Sequence, residues 1–83
     1  MSLPVCIYGY GNLGSHLFSY LESFEGVQLS VISSHATLRD DNRRTSIERL
    51  SDGTVVFLCV PDSVVNDLID KIPETCIPII CSG

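Results

Sequence analysis

Three glycines at fixed offsets constrain this chain more than any other feature. Gly9-Tyr10-Gly11-Asn12-Leu13-Gly14 fits the pattern G-x-G-x-x-G in full. It follows directly on Val5-Cys6-Ile7-Tyr8, a short apolar run that reads as a buried strand. Beyond it, Leu13, Leu17, Leu21 and Phe24 recur at helical spacing, with Ser15, Ser19, Glu22 and Ser23 between them. The spacing predicts a helix from Asn12 to Phe24, with Gly26 as its stop. In a strand–turn–helix of this kind Gly9 permits the tight turn, and Gly11 removes a side chain so that backbone can approach a pyrophosphate. Gly14 lets the helix pack close to the strand. The first helical turn then offers unpaired N–H groups and a positive dipole end to phosphates. Tyr10, Asn12 and Leu13 contribute mainly backbone, and Asn12 is also a candidate cap. The competing reading, a turn that binds nothing, accounts for one glycine and leaves two unexplained. A nucleoside-triphosphate loop would need Gly-Lys-Ser/Thr, which is absent. The place where methyltransferases carry an acidic residue before their glycines holds Tyr8.

The rest of the chain continues the alternation. Val27 to Ile32 reads as a second strand, and the polar stretch from Ser33 to Arg44 as a loop. Thr45 and Glu48 have capping-box spacing, which predicts a short helix from Ser46 to Leu50, closed by Asp52-Gly53. Val55 to Val60 is apolar on both faces, as expected of a central parallel strand covered by helices. Pro61 ends it. Asp62 or Ser63 then caps a helix that buries Val65, Leu68, Ile69 and Ile72, and Pro73 stops that helix. Ile77 to Cys81 is the last strand, and Ser82-Gly83 leaves its carboxyl end. The order β-α-β-(α)-β-α-β calls for an open parallel α/β sheet with right-handed crossovers.

Composition narrows the function classes. A chain of 83 residues holds one domain, spanning 1–83. It is 45% apolar and only 18% charged, against about 25% charged in typical soluble domains. So much interior on a small body implies a piece of a larger fold, or a subunit that hides surface against a partner. The net charge of −5 argues against nucleic acid as a partner, because that footprint requires a basic face. No apolar run approaches the roughly 20 residues that span a bilayer, and no signal core follows the N-terminus. Cys6, Cys59, Cys76 and Cys81 form no C-x-x-C pair, and neither His16 nor His35 lies at zinc-ligand spacing from them. The expectation is no metal and buried reduced thiols in a cytoplasmic protein. His16 has no catalytic partner in view.

At this point the chain resembles a known group. Val5 to Gly14 looks like the start of the 6-phosphogluconate-dehydrogenase-like Rossmann superfamily, which includes pyrroline-5-carboxylate reductases, prephenate dehydrogenases and deazaflavin-dependent NADP oxidoreductases. Val55-Val56-Phe57-Leu58-Cys59-Val60-Pro61-Asp62 resembles its second hallmark, a buried strand ending in Val-Pro. Ile80-Cys81-Ser82-Gly83 is similar to the strand end of uncharacterised Rossmann-like oxidoreductase domains with a His-x-Ser-Gly motif, with Ile80 or its neighbour in place of the His. In those families the Val-Pro strand lies beside the first strand. Between Ser33 and Val55 there are too few residues for a helix, a further strand and two turns. The usual third strand is therefore expected to be lost or vestigial, giving the spatial order 2-1-3-4. Strand order then reverses between strands one and three, and Gly9 to Gly14 would face Val60-Pro61 across a ligand crevice. In the relatives, the Val-Pro site lies along the nicotinamide-ribose half of the cofactor.

The end of the second strand bears on which cofactor. An NAD site usually places Asp or Glu there, whereas this chain has Ser33-Ser34-His35, followed by Arg39. Four of its five basic residues, Arg39, Arg43, Arg44 and Arg49, fall in one 11-residue window. Hydroxyls and an arginine fork suit a 2′-phosphate, so NADP is favoured over NAD. The other reading is a solvated loop whose arginines pair with Asp40, Asp41 and Glu48, with His35 a loop residue. Hydride transfer also needs a substrate pocket and usually an acid or base. The relatives supply both from a helical C-terminal domain, which is expected to be lacking here. Ser82 is either a group approaching the nicotinamide or an ordinary turn residue. Two functions stand: the NADP-binding half of a small-molecule oxidoreductase, or a nucleotide-binding or assembly module without turnover. Self-association into a homo-oligomer is expected, because the apolar last strand is otherwise an uncovered edge.

Overall fold

The computed structural model describes residues 2–9, 11–32 and 45–81. Its strands are β1 (Leu3–Tyr8), β2 (Val27–Ile32), β3 (Val55–Leu58) and β4 (Ile77–Ile80), and its helices α1 (Asn12–Leu21) and α2 (Asp62–Leu68). Single 3₁₀ turns occupy Ile47–Arg49 and Ile69–Lys71. The strands form one open sheet in the order β2-β1-β3-β4, and every neighbouring pair is parallel. This is the expected α/β architecture in the expected order.

The two-residue alternation of the strands divides the core in two. On one face Val5 and Ile7 of β1 and Leu29 and Val31 of β2 are buried with Phe18 of α1. On the other, Cys6, Val56 and Leu58 meet Val65 and Leu68 of α2, together with Ile72 and Cys76. Ile7, Cys6, Val31, Val56 and Leu58 lose almost all solvent contact. Burying side chains of the Val, Leu and Ile type stabilises by about 1.5–3 kcal/mol each. The two clusters sit on opposite faces of β1 and β3, so these two strands are the spine.

Several local expectations are corrected. The first helix ends at Leu21 rather than Phe24, because Glu22 makes the last helical bond, to Phe18, and Phe24 N–H turns back to the Leu21 carbonyl at 3.0 Å. Phe24 instead meets the edge of the Tyr20 ring at a centroid distance of 5.1 Å. Gly26 is not the left-handed stop, since positive φ is found among the described glycines only at Gly9 and Gly53. Its carbonyl accepts from Leu3 N–H at 2.8 Å and starts the β1–β2 pairing. The expected helix at Ser46 to Leu50 is one 3₁₀ turn, with Ser46 rather than Thr45 at its N-cap and no side-chain cap bond. Thr45 is engaged elsewhere: its N–H donates to the Val31 carbonyl at 2.8 Å, on the outer edge of β2 where a vestigial strand would pair. Pro61, not Asp62 or Ser63, is the N-cap of α2, and Gly11, not Asn12, that of α1. With its φ of −59° and ψ of 151°, Pro61 sets the entry, and its carbonyl accepts from Val64 and Val65.

Coverage of the sheet also differs from expectation. Val56 and Leu58 are fully buried, but Val55 and Phe57 on the opposite face of β3 are only half-buried. The reason is the position of α1, which packs over β1 and β2 and stops short of β3. Beyond it, Ile77, Ile79 and Ile80 of β4 remain 53%, 39% and 56% exposed. Ile69, expected in the core, is exposed because the chain tightens into a 3₁₀ turn at that residue. No helix among the described residues is long and apolar enough to cross a membrane.

Candidate functional site

Strand order reverses between β1 and β3, and the carboxyl ends of both open on the same side. A cleft of about 380 Å³ lies there, lined by Asn12 and Leu13 of α1, Cys59, Val60 and Pro61 after β3, and Cys81 after β4. The chain reaches it without breaking the ladder. Gly9 N–H donates to the Ile32 carbonyl at 2.9 Å, and Cys59 N–H to the Tyr8 carbonyl at 2.9 Å.

The three glycines of the motif have different reasons to be glycine. Gly9 has φ +97°, a backbone that side chains rarely adopt. A Cβ there would lie 2.7 Å from the Cys59 carbonyl oxygen and 2.8 Å from Val60 Cγ1. That proximity puts the glycine turn directly against the Val-Pro segment. A Cβ on Gly14 would fall on the carbonyl group of Gly9. Gly11 is unlike both: a Cβ there meets none of the described residues within 4 Å, and its φ of −81° suits any residue. Packing among the described residues therefore explains Gly9 and Gly14 and gives no reason for Gly11.

Electrostatics at this corner favour an anion. The N–H groups of the first turn of α1 have no intrahelical acceptor. The N-cap residue, Gly11, supplies no side-chain cap bond, and no acidic residue lies in that turn. Ser15 N–H closes the first helical bond to the Gly11 carbonyl at 2.9 Å, and Ser15 Oγ donates to the Asn12 carbonyl at 3.0 Å. Leu13, placed by periodicity among the core residues, is 45% exposed and turned to the cleft.

Of the residues expected at the site, Gly9, Gly11, Asn12, Leu13, Gly14, Val60 and Pro61 are brought together here. Tyr10, Ser33, Ser34, His35, Arg39 and Ser82 lie outside the described residues. His16 is exposed on the surface of α1. Cys59 and Cys81, expected as buried core thiols, are instead half-buried and line the cleft, whereas Cys6 and Cys76 are buried as expected. The signal that could have found them is register, because Leu58 pairs with Ile80 and the next residue on each strand is a cysteine. Burial first, and the neighbouring Cys81 second, push the Cys59 thiol up to about 11, so it stays protonated at neutral pH. No protein-family model matches this chain, and no curated protein does.

Proposed function

We propose that this domain binds NADP(H) across the β1–β3 cleft as the cofactor half of a small-molecule oxidoreductase. The observation that carries the reading is Gly11, a motif glycine that packing among the described residues does not require, at a helix start whose N-cap has no side chain and whose first turn has no acidic residue. The donor set fits a pyrophosphate. Backbone N–H groups of Asn12, Leu13 and Gly14 would hold it, Gly11 would let it approach, and Val60-Pro61 would bound the nicotinamide side. When bound, such a cofactor supplies the hydride. Among the described lining residues the only ionisable side chains are Cys59 and Cys81, and we propose that, as in the families the chain resembles, the proton-transfer group and the substrate pocket belong to a further domain or chain.

The preference for NADP over NAD rests on Ser33, Ser34, His35 and Arg39, which stand where an NAD site carries a carboxylate. Calorimetric titration with each dinucleotide is expected to give the tighter binding for NADP(H). Equal or reversed affinities would overturn the assignment.

The partner proposed for the open edge is a second copy of this chain. Ile77 and Cys81 direct their N–H groups to the Thr54 and Leu58 carbonyls of the β3 side, so alternation turns the backbone groups of Pro78 and Ile80 outward. Pro78 has an acceptor and no donor there. In a two-fold antiparallel pairing centred on Ile79, Ile80 N–H of each copy would donate to the Pro78 carbonyl of the other. The exposed isoleucines would be covered in the same step. Sedimentation equilibrium should therefore show a dimer at micromolar concentrations, and Ile80→Pro, which removes the donor, should return it to monomer. A wild-type monomer at high concentration would refute the pairing.

A further inference from the structure

Cys59 and Cys81 occupy corresponding positions on neighbouring parallel strands. Val55 pairs with Ile77 and Leu58 with Ile80, and Cys81 N–H donates to the Leu58 carbonyl at 3.1 Å, which carries the register one step further. Residues in register on adjacent strands have side chains on the same face, and parallel neighbours lie about 4.8 Å apart. A disulfide spans Cα separations of about 4.4–6.8 Å, so strand spacing already lies within its range. Both thiols line the cleft, and among the described residues Cys81 Sγ otherwise reaches only the Ile79 carbonyl of its own strand, at 4.0 Å. The other two cysteines offer a contrast. Cys6 and Cys76 share a buried core cluster away from the cleft, and Cys76 Sγ is turned to the Ser51 carbonyl at 3.5 Å. A metal would ask for a third ligand, and among the described residues no three His, Cys, Asp or Glu side chains gather.

The geometry points to a redox-active dithiol, Cys59 with Cys81, that closes to a disulfide across the β3–β4 ends when it meets a low-molecular-weight disulfide such as oxidised glutathione. Cys81, on the open edge strand, attacks first. Its thiol gives its proton to water, the thiolate bonds to one glutathione sulfur, and the S–S bond of the oxidant breaks to release glutathione thiolate, which takes up a proton. Cys59, held in the thiol form by burial, is the resolving partner. It loses its proton as it attacks the Cys81 sulfur and expels the second glutathione. Two protein thiols are oxidised and one glutathione disulfide is reduced to two thiols. The link would tie the edge strand to the sheet at the mouth of the cleft, and it does not depend on what the cleft binds.

The test treats the folded protein with oxidised glutathione, unfolds it under iodoacetamide, and weighs it. Two of its four cysteines should be alkylated, and all four after dithiothreitol. Tryptic cleavage at Lys71 separates Cys59 from Cys81, and fragmentation before Pro78 separates Cys81 from Cys76, so the joined pair can be read directly. Cys59→Ser should halt at a stable mixed disulfide, with one glutathione held on Cys81. Four alkylated thiols after oxidation, a bond joining any other pair or two chains, or Cys59→Ser without bound glutathione would each overturn the proposal.

Discussion

Gly14→Ala should destabilise the fold strongly, although helix propensity alone predicts the opposite. Alanine inside a helix is about 1 kcal/mol better than glycine, so an exposed helical glycine changed to alanine gains stability. At Gly14 the new methyl would fall on the carbonyl carbon and oxygen of Gly9. These are backbone atoms, and Gly9 cannot yield. Its N–H is bonded to the Ile32 carbonyl at 2.9 Å, and its far side lies against the Cys59 carbonyl and Val60. Relief requires α1 to lift from the sheet, which uncovers Ile7 and Phe18. The expected loss is at least about 3 kcal/mol, the upper range for overpacked sites. A chain of 83 residues has roughly 4–12 kcal/mol in all. Urea denaturation reads the difference directly, and a midpoint equal to or above wild type would mean that α1 does not press on Gly9.

The same corner shows what the sequence could and could not reveal. Strand, turn and helix were legible at Val5 to Leu21 because three signals agree there: an apolar run, glycine offsets and helical periodicity. The strand order followed from the short span between Ser33 and Val55 together with a family resemblance, not from periodicity. Caps were read wrongly at Thr45, Asp62 and Asn12. A cap depends on which residue first adopts helical angles, and Ser46, Pro61 and Gly11 take that place without any side-chain bond. The exposure of β4 was hidden for another reason. Ile77, Ile79 and Ile80 are as apolar as a buried strand, and only the placement of α1 over β1 and β2 leaves them uncovered. The cysteine pair at the cleft was illegible because register is a property of two strands, and hydropathy describes each alone. At the site, the motif indicated that three glycines mattered but not that they matter differently.

That difference makes Gly11→Val the sharpest test of the binding proposal. A side chain at Gly11 meets none of the described residues within 4 Å, and the extended backbone there suits a branched residue. Exchanging glycine for valine at an N-cap costs about 1 kcal/mol or less, because only the weak capping preference is lost. The fold should therefore survive, with a melting temperature lowered by no more than about 4–8 °C. Binding should not. The valine methyls would stand over the first-turn N–H groups of α1, holding a pyrophosphate away from the donors and the helix dipole at once. Charge-assisted hydrogen bonds contribute about 1.5–3 kcal/mol each, so losing two lowers affinity by at least about 100-fold, which corresponds to about 2.7 kcal/mol. Gly11→Ala, with one methyl in the same direction, should fall between valine and wild type. Titration of NADP(H) into all three proteins, with their melting curves recorded beside it, separates the two roles of the motif. A valine variant that melts like wild type and binds like wild type would remove the pyrophosphate from this helix start and the cofactor reading with it.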